Sequence, residues 1–170
     1  MPISPYVAAM RARIGSDLLM LPSVAGVVRN DAGQVLFARR SDTGQWSVPG
    51  GVVDPGEQPA EAVVREVFEE TGVHIAVDAV AGVACHPVRY PNGDRCDYLS
   101  VWFRCRALGG VAAVNDDESL EVGWFAPDAL PPQLNDWVRL RVETALRDAP
   151  DAWFAPVGER HPALQQPDAL

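Results

Sequence analysis

Three glutamates, Glu66, Glu69 and Glu70, are the feature that any fold of this chain has to accommodate. Residues 58–71 read as one helix, with Pro59 in the first turn and Gly72 just past the end. At about 100° per residue, the three carboxylates fall on a single stripe, spaced i, i+3 and i+4. Ala60, Val63, Val64, Val67 and Thr71 gather on a different arc, which can face a core. Like charges at such spacing repel by a few tenths of a kcal/mol per pair, and by more where water is excluded. Arg65 can pair with Glu61 or Glu69, but it cannot neutralise the stripe alone. The helix is therefore either a solvated acidic face or a holder of cations. Oxygen-only ligands would favour Mg²⁺ or Mn²⁺ over zinc.

The rest of the chain reads as strands and helices in alternation. Residues 4–14 carry Tyr6, Val7, Met10 and Ile14 at helical spacing, ended by Gly15. Residues 23–29 and 34–40 are valine-rich and flank Asn30-Asp31-Ala32-Gly33, the pattern of a hairpin. Residues 41–56, dense in Gly, Pro and Asp, read as loop. Residues 73–88 and 98–105 read as strands joined by the Pro91-Asn92-Gly93-Asp94 turn, since Asn-Gly tolerates positive φ. Residues 120–125 form a further short strand after the acidic stretch Asn115–Glu118, and residues 133–147 keep a helical period. This order implies an α/β fold, a mixed β-sheet covered by helices in an α/β/α sandwich. Residues 1–150 read as a single domain with a short N-terminal helix. Residues 151–170 read as a proline-rich C-terminal tail, irregular except where Trp153 and Phe154 can dock on the body.

Composition narrows the partners. The 170 residues carry a formal net charge of −9, which gives no electrostatic footprint for duplex nucleic acid. An anionic substrate would need a local counter-charge, from a metal ion or from arginines inside the site. No apolar run approaches the roughly 18 residues of a membrane span. Arg11 and Arg13 follow the short apolar start, the reverse of a secretory signal. The three cysteines lack metal-ligand spacing and fit reduced thiols in a soluble, cytoplasmic protein. The apolar N-terminal helix needs a surface to cover, and a homodimer is the expectation.

The neighbourhood of the acidic stripe decides between its two readings. From Gly51 the chain reads GVVDPGEQPAEAVVREVFEETGV, with Glu57, Arg65-Glu66, Glu69-Glu70 and Gly72-Val73 at fixed spacing. Seven fixed positions make a chance match rarer than about 10⁻⁶. This segment resembles the Nudix box at every defined position. The hairpin before it, the Trp46–Pro49-Gly50-Gly51 entry and the Glu121–Trp124-Phe125 segment also resemble that family, so most of residues 20–148 fit its plan.

The resemblance implies a Mg²⁺-dependent hydrolase that cleaves a diphosphate linkage. By similarity, Glu66, Glu69 and Glu70, with the Gly50 carbonyl, hold the metal, Mg²⁺ or Mn²⁺. Glu57 and Arg65 would support them, Arg65 by orienting carboxylates and Glu57 by capping the loop-to-helix turn. The general base is a box glutamate or a loop carboxylate, for which Glu118 is the candidate and Glu121 its rival. Arg40 matches the arginine that touches substrate phosphate in similar enzymes, though a plain surface arginine fits the position nearly as well. Trp46 can either stack on a base or pack under its loop. Tyr90, 17 residues past Val73, resembles a marker of diadenosine-polyphosphate hydrolases, while Pro87 and Pro91 straddle the place that marks ADP-ribose hydrolases. Tyr90 also suits an ordinary strand end, and His74 and His86 read as core or surface histidines.

The implied substrate is a small nucleoside diphosphate derivative: a nucleoside triphosphate, a dinucleoside polyphosphate or an ADP-ribose type. A Nudix-fold sensor that binds a nucleotide without cutting it is the alternative. Such proteins usually lose box glutamates, and none is lost here. Isomerisation of isopentenyl diphosphate would want a site cysteine, and Cys85, Cys96 and Cys105 carry no signature for it.

Overall fold

A computed structural model describes residues 4–90, 92–147, 149–159, 161–164 and 168–169. In chain order the elements are α1 (Pro5–Ile14), β1 (Leu19–Arg29), β2 (Val35–Arg40), β3 (Trp46–Ser47), α2 (Pro59–Thr71), β4 (Val73–Arg89) and β5 (Arg95–Gly110). They continue with β6 (Ser119–Phe125), α3 (Asp136–Leu146), β7 (Trp153–Phe154), a 3₁₀ turn at Pro162–Leu164 and β8 (Asp168–Ala169). The strands make one mixed sheet of eight, with β1 parallel to β5 and the long β4–β5 pair antiparallel.

The sheet is covered on both faces, the expected three-layer arrangement. On one face Ala62, Val63 and Val67 of α2 pack against Val24, Val28, Leu36, Phe103 and Cys105. On the other, Trp137, Val138, Val142 and Ala145 of α3 pack against Val27, Phe37, Ala84 and Trp102. α1 adds a satellite cluster, where Val7, Met10 and Ile14 meet Leu19, Leu21 and Cys96. The surface that α1 was expected to need is thus supplied within the chain, and Tyr6, grouped with its apolar residues, is exposed. Among the described residues no helix is long and apolar enough to cross a membrane.

Two departures from the sequence expectation shape the site. The first is the hairpin. Its turn forms, with Asn30 N–H donating to the Gln34 carbonyl at 3.1 Å, but the β1–β2 ladder is limited to the Arg29–Val35 pair. Beyond it the strands part. β2 pairs with β3 and β6, while residues 49–53 take the vacated edge of β1. Gly26 N–H donates to the Pro49 carbonyl at 2.9 Å, Val24 N–H to Gly51 at 2.8 Å, and Val53 N–H to Pro22 at 3.1 Å. The segment read as continuous loop therefore holds a short strand, β3, and a backbone wedge that pairs Val52 with Ser23. The backbones approach so closely that a Cβ on Gly50 would lie 2.2 Å from the Val24 carbonyl oxygen, so only glycine fits there.

The second departure is the rotation of α2. Ala62, Val63, Val67 and Thr71 are buried, whereas Ala60 and Val64 are exposed. The buried arc is turned towards the glutamates, because the wedge covers that side of the helix. Gly72 closes α2 with φ 69° and an N–H to the Phe68 carbonyl at 2.8 Å.

At the second turn, Tyr90 N–H donates to the Asp94 carbonyl and Gly93 takes φ 91°. Pro91, named in that turn and in the marker comparison, lies outside the described residues. The tail is less irregular than its prolines suggest. β7 pairs in parallel with β4, and the Trp153 ring lies 5.8 Å from Trp102. We predict that Trp153→Ala lowers unfolding free energy by roughly 2 kcal/mol, below the usual value for a fully buried aromatic because Trp153 is half-exposed. Urea denaturation would measure it, and an unchanged midpoint would show that the tail contributes nothing to the core.

Candidate active site

The wedge brings the backbone of Gly50 and Gly51 against the acidic face of α2. The carbonyls of Pro49 and Gly51 both bond β1, and Gly50 N–H instead donates to Glu70 Oε1 at 2.9 Å. A Cβ on Gly51 would come within 2.4 Å of the Glu66 carboxylate. The two glycines therefore form the floor on which two of the three stripe glutamates rest.

Arg65 ties this floor to the helix. Its Nε and Nη2 donate to the two oxygens of Glu57 at 2.9 and 2.8 Å, a bidentate pair. Nη1 donates to Glu66 at 2.9 Å and Glu69 at 3.1 Å, and Nη2 reaches the Val52 carbonyl at 3.3 Å. Glu57 in turn accepts from Asp54 N–H at 3.1 Å, so it closes the turn ahead of the helix. The helix end itself is served by Glu61, which accepts from Gln58 N–H at 3.0 Å. The hydrogen bonds to Glu57 raise the Arg65 pKa most, and Arg65 holds Glu57 below the usual carboxylate range.

The third contribution comes from residues 113–119. Ser41 N–H donates to the Glu118 carbonyl at 2.7 Å, and Arg40 faces Ser119 in the β2–β6 ladder. Glu118 thereby lines two depressions at once. One is an open groove of about 520 Å³ with Phe68, Glu69, Asn115, Asp116 and Asp117; the other is a small pocket with Arg40, Asp42, Glu70 and Ser119. Glu121, its rival, is engaged elsewhere, accepting from Arg39 Nη2 at 2.8 Å.

The electrostatics of this assembly are lopsided. Burial raises Glu66 to about 7, against the pull of Arg65, and Glu69 and Glu118 push the same way. Burial also drives Glu70 well above its ordinary range despite the Gly50 hydrogen bond, with Glu66 and Asp116 adding repulsion. Burial and Asp116 raise Glu118. Neither nearby arginine is spare. Arg65 is divided among three carboxylates, and Arg40 is held by Asp42, with Nε to Oδ1 at 2.9 Å and Nη2 on the other oxygen. Burial lowers the Arg40 pKa, but Asp42 and then Glu70 outweigh it and leave it raised.

Of the remaining candidates, Trp46 is not brought to the glutamates. It packs edge-on against Phe125 at 5.0 Å, on the α3 side of the sheet. Tyr90 sits under α1, its hydroxyl 2.7 Å from that of Tyr98, within electrostatic reach of Arg40. His86 stacks on Trp137 and His74 on Phe68. Sequence reasoning missed Asp42, Asn115 and Asp116. The signal for Asp116 was present, since an Asp three residues before a strand suits a side-chain turn, and Asp116 Oδ1 accepts from Glu118 N–H at 3.0 Å and Ser119 N–H at 3.1 Å.

The NUDIX domain model matches residues 20–146, which include the wedge, α2 and Glu118. The chain belongs to the Nudix hydrolase family. A MutT-like protein of Streptomyces ambofaciens is 39% identical over 127 residues, covering 75% of this chain and 77% of its own. An ADP-ribose pyrophosphatase of Methanocaldococcus jannaschii is 36% identical over 118 residues, covering 67% and 68%. The crystal structure of a MutT NUDIX hydrolase from Burkholderia pseudomallei superposes with TM-score 0.63 at 28% identity, over 74% of this chain and 98% of that one. The protein is accordingly a hydrolase acting on phosphorus-containing acid anhydrides, of a family that generally uses divalent metal ions.

The donor set fits such an ion. It is all oxygen, it carries excess negative charge, and Arg65, shared among Glu57, Glu66 and Glu69, offsets only part of it. Among the described residues, no three acidic, histidine or cysteine side chains stand close enough to be a ready-made metal cluster. Arg65, bonded to both Glu66 and Glu69, draws those two carboxylates to itself.

A pH dependence follows with a definite sign. A glutamate whose folded pKa is raised contributes stability that is complete below its ordinary 4.5 and lost as pH rises through about 7. In EDTA we expect unfolding free energy to fall between pH 5 and 8, by on the order of 3 kcal/mol from Glu66 alone. Glu70→Gln keeps an acceptor for Gly50 N–H and removes a buried charge, so in EDTA at pH 8 it should melt above wild type. A variant that melts lower would refute the charge imbalance.

Proposed function

We propose that this Nudix hydrolase is a Mg²⁺-dependent pyrophosphohydrolase that cleaves the diphosphate linkage of a small nucleoside diphosphate derivative, with Mn²⁺ able to substitute. The observation that carries this reading is that Glu66 and Glu70 rest on the Gly50–Gly51 floor with Glu118 within electrostatic reach, while the nearby described arginines, Arg65 and Arg40, are already bonded to carboxylates.

Glu66, Glu69 and Glu70, with the Gly50 carbonyl, would hold the ion. When bound, it offsets the charge on the phosphate oxygens and activates the attacking water. The other roles belong to the chain. Arg65 holds Glu66 and Glu69 in place and anchors both to the wedge through Glu57 and Val52. Arg40, at the lip of the small pocket, offers a guanidinium to a phosphate, and Asp42 competes for it until substrate arrives. Glu118 is the general base we favour. Its raised pKa lies nearer working pH than that of an ordinary glutamate, and it takes the proton as water oxygen bonds phosphorus and the bridging P–O bond breaks. Glu121 is disfavoured because Arg39 occupies it. Tyr90 remains a candidate wall on the Arg40 side. Trp46 is a weaker stacking candidate, since Phe125 already packs against its ring.

All box carboxylates are present, which weighs against the non-catalytic sensor. Similarity does not narrow the substrate, since related proteins at 36–37% identity are named ADP-ribose pyrophosphatase and RNA pyrophosphohydrolase. We read residues 1–150 as the catalytic unit, and its free thiols as suited to a reducing cytosol.

The test is a hydrolysis screen over ADP-ribose, nucleotide sugars, diadenosine polyphosphates and oxidised and normal nucleoside triphosphates, with and without Mg²⁺. Turnover should require the metal, and Glu70→Gln should reduce kcat by about 10³-fold while the circular-dichroism spectrum is unchanged. Tight nucleotide binding without hydrolysis of any compound would overturn catalysis in favour of the sensor.

A further inference from the structure

The loop that carries Glu118 is not simply a connection between strands. Its first half is fastened to the end of the box helix. Ala113 N–H donates to the Thr71 carbonyl at 3.1 Å, Asn115 N–H to Glu70 at 3.4 Å, and Asn115 Nδ2 to Phe68 at 3.0 Å. Carbonyls in the last turn of a helix lack intrahelical partners; here the loop backbone supplies donors to Glu70 and Thr71, and Asn115 Nδ2 adds a second donor to the Phe68 carbonyl beside the Gly72 cap. The second half is fastened elsewhere: Ser41 N–H holds the Glu118 carbonyl, and Asp116 Oδ1 folds the chain back onto Glu118 and Ser119. The loop is thus a strap tied at one end to α2 and at the other to β2, with Glu118 between the ties.

We infer that Asn115 is a positioning residue for hydrolysis, which acts by latching the strap to α2 so that Glu118 is held against Glu66 and Glu70. This rests on the reading of Glu118 as the base. The side chain of Asn115 makes the one side chain-to-helix bond of the latch, reaching the carbonyl between Val67 and Glu69 on the helix that carries the other acids. Asn115 is exposed, so the bond adds little to global stability. A displacement of about 1 Å at a catalytic group can nevertheless lower a rate by up to about 10²-fold. Geometry at Glu118, not folding, is what the latch controls.

A double-mutant cycle tests this on the full chain, with the fastest-hydrolysed of ADP-ribose, dGTP and diadenosine tetraphosphate as probe. Asn115→Ala should reduce kcat roughly ten-fold with KM changed less than about two-fold, and leave the melting temperature within about 2 °C. Asn115→Asp, which loses the donor to the Phe68 carbonyl, should show the same loss, whereas Asn115→Gln, which keeps an amide donor, should recover part of kcat. In the Glu118→Gln background Asn115→Ala should cost nothing further, since both act through one carboxylate. Full kcat in Asn115→Ala, or the same ten-fold loss on top of Glu118→Gln, would overturn the latch. If Glu118→Gln itself keeps full kcat, the assignment of the base falls, and the latch with it.

Discussion

The structure depends on the insertion of residues 49–53 along the edge of β1, where β2 would otherwise pair. Hydrogen bonds from Val24 and Gly26 hold the wedge, and Gly50 makes it fit, because any side chain there would overlap the Val24 carbonyl. Several consequences follow from this one contact. β2 is pushed off β1 and pairs with β6, which brings Glu118 beside Arg40. The wedge covers the glutamate side of α2, so the helix buries Ala62 rather than Ala60 and Val64. The peptide N–H of Gly50 is left to meet Glu70. A single splayed hairpin thus brings together a backbone floor, an acidic helix and a distant loop.

The electrostatic design runs against the stability of the metal-free fold. Glu66 and Glu70 are pressed into a poorly solvated corner with Glu118 near, and Arg65 balances only part of their charge. Desolvating a carboxylate without a full counter-charge is unfavourable. Arg65 limits the strain without removing it, since its strongest bonds go to Glu57 and so to the architecture of the loop. A proton or a divalent cation would relieve this repulsion, and only the cation would leave the carboxylates ionised. Binding an ion should therefore be linked to deprotonation, and affinity should rise with pH through the same range in which metal-free stability falls.

Much of this was legible in the sequence, for a physical reason. The box residues act locally: three carboxylates on one stripe, an arginine one turn away and glycines where backbone must approach. Such spacing survives in a linear string. The features that were not legible depend on partners far apart in the chain. The outward turn of Val64 depends on residues 49–53, and the separation of Glu118 from Glu121 depends on Arg39 and Ser41. Trp46 read equally well as a stacking surface or a buried ring, and only its contact with Phe125 decides where it packs. Asp42, two residues from Arg40, looked like loop punctuation, yet it is the arginine's main partner. In each case the residue type was informative and its partner was not.

The same division explains why the fold identifies a reaction without identifying a substrate. The proposed reaction centre is built from the wedge, α2 and the strap, with backbone hydrogen bonds fixing the wedge to β1 and the strap to α2. The groups around that centre sit on paired backbone, but their side chains are positioned by other side chains. Arg40 is shared with Asp42, and Tyr90 hangs from a hydroxyl contact with Tyr98 beneath α1. The groove beyond Glu69 is walled by Phe68 and by acids of the strap. Side-chain contacts of this kind can be exchanged without disturbing the wedge, so specificity is free to change while the chemistry stays. α1 belongs to this outer, adjustable part, because its packing on Leu21 and Cys96 sets the ground under Tyr90. If Tyr90 forms the proposed wall of the substrate site, the N-terminal helix would be coupled to substrate recognition and the box helix to the reaction.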